Sequence, residues 1–311
     1  MNRKWGVLGI LLAVCLLALA VGGFALLPGA GPGASSAPQP VISAAPTASP
    51  APAVSAAPQP TPEPTALPAA ARPGYPALGP FELEALSTER LPWGQGKQVN
   101  ELNQPVGSVA YREKYAQYGG LFLALEQAQP TVYLTFDFGY ETGFSGAILD
   151  TLAEKQAQAT FFLVGSYARN NPDTVRRMLD EGHTVGSHSA THKDMTTLTL
   201  SEVRAEITGF NDEFEQLYGQ RPAVFRFPEC VFSEQLLALA ANEGMYSVFW
   251  SYATVDWDPE NQPDPAEALQ NALGAAHPGA IYLLHPMATN SEILGRLIDG
   301  LRADGYTVAP L

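Results

Sequence analysis

From about Thr131 to the C-terminus, short β-rich runs alternate with amphipathic helical stretches, and this alternation restricts the chain to a small set of folds. Seven runs read as strands: VYLTF (132–136), FFLV (161–164), HTVGS (183–187), AVFRF (223–227), YSVFW (246–250), AIYLL (280–284) and YTVAP (306–310). Helices start at recognisable signals between them. Asn171-Pro172-Asp173 precedes VRRMLDEG, Ser201 precedes EVRAEI and Ser233 precedes EQLLALAANEG, with Gly182 and Gly244 closing two of the three. A capping side chain or a proline in the first turn begins such helices, and glycine ends them. Repeated strand–helix alternation implies a mainly parallel α/β sheet, doubly wound or closed into a barrel. In such folds the loops that carry chemistry converge at the carboxyl ends of the strands.

Ionisable residues sit at those ends. Asp137 follows VYLTF in TFDFGYE, His188 and His192 follow HTVGS in HSATH, and Arg226 lies in FRFPECVF. Asp256 and Trp257 end SYATVDW after YSVFW, and His285 follows AIYLL. Taken singly, an aspartate after a strand is a helix cap and a buried histidine is structural. Five such groups, each at the carboxyl end of one of the seven strands, point to a shared site. His183 and His277, in GHTVGSH and HPGA, read as structural.

The rest of the chain has a different character. Arg3 and Lys4 precede an uncharged apolar run from Trp5 to Leu27, long enough to span a bilayer as a helix. A signal peptide's apolar core is shorter, about 7–15 residues, so the run reads as an uncleaved signal-anchor, with a cleaved signal as the alternative. Positive charge before the span keeps the N-terminus cytoplasmic and sends the remainder outside. Between Pro28 and Pro80 the chain is Ala, Pro, Ser, Thr and Gly, with only Glu63 and Arg72 charged. Proline favours extended backbone and the segment lacks the large apolar groups of a core, so it reads as a semi-stiff, disordered stalk. The net charge of the chain is −14, and without Arg3, Lys4, Glu63 and Arg72 the C-terminal body alone carries −16. Such a surface repels nucleic acid and anionic lipid. Two cysteines, Cys15 and Cys230, give no disulfide framework.

From about Leu91, through WGQG, to Leu311 the chain resembles the polysaccharide deacetylase (NodB-like) family, and within it the spore-cortex-type muramic acid deacetylases. The strings VYLTFDFGYE, DEGHTVGSHSATH, VFSEQ, VFWSYATVDW and HPGAIYLLH carry the resemblance. It implies a distorted (β/α) barrel at 129–311, preceded by the anchor (1–27), the stalk (28–80) and an extension (81–128) packing on the barrel. It also implies that Asp137 is the general base, oriented by Arg226, and that His285 is the general acid, positioned by Asp256. His188 and His192 would bind a divalent metal, usually zinc, while Trp257 and Leu283 would wall the pocket for the acetyl methyl. Tyr140 and Glu229 join them as candidate substrate contacts. The implied substrate is the glycan strand of peptidoglycan, attacked outside the membrane by an anchored monomer, with muramic acid preferred.

Two departures from the family pattern bear on this. The position that usually supplies a third, carboxylate metal ligand is Phe138, which cannot coordinate a cation. In the third motif, Phe227, Glu229 and Cys230 replace proline, arginine or an aromatic, and glycine. Glu229 and Glu141 are candidates to restore negative charge near the metal, although the plainer reading makes both solvated loop residues. Cys230 reads as a small substitute for glycine. The competing functions are an N-acetylglucosamine-directed deacetylase and a carbohydrate-binding homologue that has lost turnover.

Overall fold

Residues 77–124 and 129–311 are described by the computed structural model. The apolar N-terminal run and all but the last four residues of the proline-rich segment lie outside them. In chain order the first elements are α1 (Pro80–Glu84), β1 (Leu91–Pro92), α2 (Val106–Tyr115), β2 (Gly120–Leu121), β3 (Thr131–Phe138) and α3 (Ser145–Glu154). Next come β4 (Thr160–Leu163), α4 (Gly165–Asn170), α5 (Pro172–Asp180), β5 (Thr184–Ser187), α6 (Leu200–Tyr218) and β6 (Val224–Phe225). The chain ends with β7 (Val231–Phe232), α7 (Glu234–Asn242), β8 (Tyr246–Val248), β9 (Tyr252–Ala253), α8 (Pro265–Gly274), β10 (Ala280–Leu284), α9 (Ala288–Ala303) and β11 (Thr307–Ala309). All seven predicted strands are present, β6 as two residues of its longer AVFRF run; the two-residue strands β1, β2, β7 and β9 are not among those read from sequence.

Nine strands form one parallel sheet in the order β2-β8-β6-β5-β4-β3-β10-β9, with β11 beside β3. β3 is its centre. Residues 132–136 pair with β10, while the opposite edge is shared by β4 at 135–138 and β11 at 131–133. All eight residues of β3 are buried: Val132, Leu134, Phe136 and Phe138 pack against helices α3 and α9, while Tyr133 packs among side chains of the other strands, including Phe162, Val224, Val248 and Ile281. The sheet curls into a half-barrel and does not close. Its end strands, β2 and β9, are two residues long and do not pair with each other, so the expected (β/α) barrel is distorted and left open between them.

The N-terminal extension is built into this architecture. β2 is an edge strand of the main sheet, paired with β8, and β1 runs antiparallel to β7. Leu83, Trp93, Tyr115 and Phe122 share an apolar cluster with Phe225, Phe227, Phe232 and Phe249, and Phe122 stacks on Phe249 with ring centres 4.3 Å apart. Helix starts follow the local chemistry. Pro172 opens α5, and the Ser233 hydroxyl accepts from the Leu236 amide at the head of α7. The start of α6 differs from expectation: Thr199, not Ser201, is the cap, because Thr199 and Glu202 satisfy each other's backbone N–H groups in a capping box. Gly182 and Gly244 end their helices at φ +79° and +78°, conformations that glycine adopts without strain.

Candidate functional site

Backbone alternation near the end of β3 separates two neighbours. Asp137 turns into a groove of about 1120 Å³ over the carboxyl ends of the strands, whereas Phe138 packs in the core against Phe161 and Tyr167 and does not line the groove. Asp137 Oδ1 accepts from Arg226 Nη1 at 2.7 Å. Arg226, directly after β6, is fully buried. It donates from Nε to the Val248 carbonyl and from Nη2 to that of Phe249, and its guanidinium lies over the Phe162 ring at 4.1 Å. Each nitrogen of this buried cation thus donates one hydrogen bond and one face lies on a ring, as an interior charge requires. Burial opposes ionisation of Asp137, but the charges of Arg226, His188 and His285 and the Arg226 hydrogen bond outweigh it and hold its pKa below the usual carboxylate value.

The loop after β5 carries the two imidazoles. His188 is buried, and its Nδ1 lies 2.9 Å from the Arg226 carbonyl. A carbonyl can only accept, so Nδ1 carries the proton and Nε2 is left as a lone-pair donor. Burial lowers the His188 pKa to about 4, with Asp137 opposing, so the ring is neutral as a metal ligand must be. His188 Nε2 lies 3.2 Å from His192 Nε2 and 3.5 Å from Asp137 Oδ2. Two nitrogens bound to one tetrahedral zinc at about 2.0–2.1 Å would stand about 3.3 Å apart, so the imidazole pair fits a divalent cation. Among the described residues no group of three His, Cys, Asp or Glu side chains is arranged to hold a metal.

On the other side, His285 follows β10. Its Nδ1 lies 2.8 Å from Asp256 Oδ1. Asp256 is fully buried, and its Oδ2 accepts from the His285 amide and from Asn290 Nδ2. Burial disfavours the imidazolium, but the Asp256 hydrogen bond and charge, with a weaker contribution from Asp137, prevail and raise the His285 pKa. Asp256 follows β9 rather than β8, because the chain forms an extra short strand after Trp250. Asn290, in the first turn of α9, has no sequence signal beyond its distance from His285.

The groove wall contains Trp257 and Tyr140, 57% and 58% exposed, beside the buried Leu283. Such exposed aromatic faces suit the apolar faces of sugar rings. Glu229 also lines the groove and approaches Arg90 at 4.0 Å. Glu141 does not. It accepts from the Gly143 amide, Ser145 Oγ and Tyr167 Oη, so it is spent on its own turn and cannot replace the missing carboxylate. Cys230 lies at the groove floor with φ +52° and accepts from Trp250 Nε1. Burial pushes its thiol up to about 12, which disfavours the thiolate a metal would need. His183 accepts from the Ala159 amide, and His277 bonds Ser251 and the Pro278 carbonyl. Both serve the scaffold.

Fold and site together suit acid–base hydrolysis in a groove on a half-barrel of parallel strands. Residues 124–248 match the polysaccharide deacetylase family model. The peptidoglycan-N-acetylmuramic acid deacetylase PdaA of Bacillus subtilis is 36% identical over 231 residues, which is 74% of this chain and 87% of that protein. A peptidoglycan-N-acetylglucosamine deacetylase of Bacillus cereus is 32% identical over 200 residues, 62% of this chain and 70% of that one. The solved structure of Bacillus subtilis PdaA, described as a family 4 carbohydrate esterase, matches with a TM-score of 0.67 at 35% identity, covering 72% of this chain and 96% of the other. The chain belongs to the polysaccharide deacetylase family and is a deacetylase hydrolase.

Proposed function

We propose that the protein removes N-acetyl groups from the glycan strands of peptidoglycan, with muramic acid preferred, on the outer face of a membrane to which its N-terminal run anchors it. The observation that carries the reaction is the pairing of an arginine-clamped carboxylate with a carboxylate-backed histidine in one groove. Asp137, held ionised by Arg226, takes a proton from the attacking water. The oxygen adds to the acetyl carbon, the carbon–nitrogen bond breaks, and protonated His285 gives its proton to the departing sugar nitrogen, releasing acetate and a free amine. His188 and His192 would hold a divalent cation, zinc by the chemistry of its donors, and that cation supplies electrophilic polarisation of the acetyl carbonyl. Trp257 and Tyr140 flank the sugar and Leu283 receives the methyl.

The choice of peptidoglycan rests on the relatives named above, one acting on N-acetylmuramic acid and one on N-acetylglucosamine; the higher identity and coverage of the former favour muramic acid. The test incubates the purified protein with stem-free glycan strands, with zinc or with chelator, and measures acetate release and product masses. Acetate lost from muramic acid, and abolished by chelator, is the expected result. Loss from glucosamine alone would overturn the sugar assignment, chelator-insensitive release the metal role, and no release at all the reaction.

A further inference from the structure

The helix α6 buries Val203, Glu206, Ile207, Phe210, Asn211 and Phe214. This is the stripe of an amphipathic helix, and every charged residue should be excluded from it. Glu206 nevertheless sits there, 7% exposed. Its carboxylate accepts from the Thr191 amide at 2.8 Å through Oε2 and from the Thr191 hydroxyl through Oε1, while its main-chain carbonyl accepts from the Ala190 amide at 3.1 Å. Lys193 reaches Oε1 only at 3.7 Å from an exposed position. Glu206 is thus bonded to the short loop between His188 and His192.

That loop needs holding. Ser189 and His192 have φ +70° and +58°, a region disfavoured for residues with a Cβ and maintained only by surrounding structure. His188 is fixed by burial and by the Arg226 carbonyl, but His192 is exposed. Its amide donates to Ser189 Oγ and its ring nitrogen lies against that of His188. The direction of the His192 ring is therefore set by its backbone, and its backbone by the residue before it. We propose that Glu206 is a positioning residue: by clamping Thr191 it holds the His192 imidazole opposite His188 and so sets the affinity of the pair for a divalent cation. The inference rests on the metal-binding reading above.

The test compares Glu206→Leu, Glu206→Gln and Thr191→Val with the natural protein by zinc affinity against a competing chelator. Melting of the metal-free protein and hydrogen exchange of the His192 amide are measured alongside. Leucine suits the stripe, so Glu206→Leu should melt as high as the natural protein while its zinc affinity falls at least tenfold and the His192 amide exchanges faster without metal. Glu206→Gln, which can still accept from the amide, should retain affinity within about threefold, and Thr191→Val should fall between. A folded Glu206→Leu with unchanged zinc affinity overturns the proposal. So does a Thr191→Val protein that loses melting temperature with unchanged zinc affinity, since Glu206 would then serve the fold alone. Failure of the natural protein to bind zinc would instead overturn the metal-binding reading.

Discussion

Asp137 and His285 line the same groove, yet their surroundings move their proton affinities in opposite directions. Separation of this kind keeps a base ionised and an acid protonated at one pH. Asp137→Asn should lower kcat about 10²- to 10⁴-fold, the range for loss of a general base, read from acetate release. Asp137→Ala should in addition destabilise the fold by about 3–5 kcal/mol, because it strands the buried Arg226 charge; denaturant unfolding checks this. The proposed reaction requires His285 in its protonated form, so it should set an alkaline limb of activity above its ordinary value of 6.5. Asp256→Asn removes the charge that raises it, so that limb should move to lower pH in a kcat/KM profile; an unmoved limb would remove His285 as the acid. Stability follows the same signs. The His285–Asp256 interaction stabilises the fold below pH 6.5 and is lost as pH rises through the raised folded value, whereas the Asp137 contribution is present at neutral pH and is lost as pH falls through its depressed value.

At the scale of elements, the strands that bear on the groove were legible because each joins a run of β-branched or aromatic residues to a polar residue at its carboxyl end. VYLTF and AIYLL show this most plainly. The short strands were not legible: β2 is Gly120–Leu121 and β9 is Tyr252–Ala253, and two residues hold no period. The candidate site was legible to the same extent. Asp137, His188, His192, Arg226, Asp256 and His285 announce themselves by residue type and place, but Asn290 and Glu206 act from helices, where an amide or a carboxylate looks like ordinary surface. The shifted start of α6 has the same origin, since Thr199 and Ser201 are both capping residues and only Glu202, three places after Thr199, distinguishes them. Thr199→Ala should destabilise the protein by about 1 kcal/mol, seen as a lower denaturant midpoint with an unchanged slope. Ser201→Ala, which leaves the cap intact, should shift the midpoint by less than half as much.

For the molecule as a whole, the family model's match begins at residue 124, but the physical body begins earlier. Trp93, Tyr115 and Phe122 belong to the same apolar cluster as Phe227 and Phe249, and β2 supplies a sheet edge. Deleting everything before residue 129 should therefore expose that cluster and leave β8 as an unprotected edge, a template for aggregation. A fragment starting at residue 77 should remain soluble and melt cooperatively, while one starting at 129 should aggregate or bind a hydrophobic dye; equal melting of the two would show the extension to be dispensable.

Arg226 carries a consequence for anyone dissecting this protein genetically. One guanidinium holds the carboxylate on β3 and the main chain at the end of β8, while the main-chain carbonyl of the same residue sets the tautomer of His188. An inactive allele at codon 226 thus cannot be scored as chemistry or as architecture, because a single lesion abolishes both, and lysine, with one compact charge in place of a planar fork, offers no gentler allele.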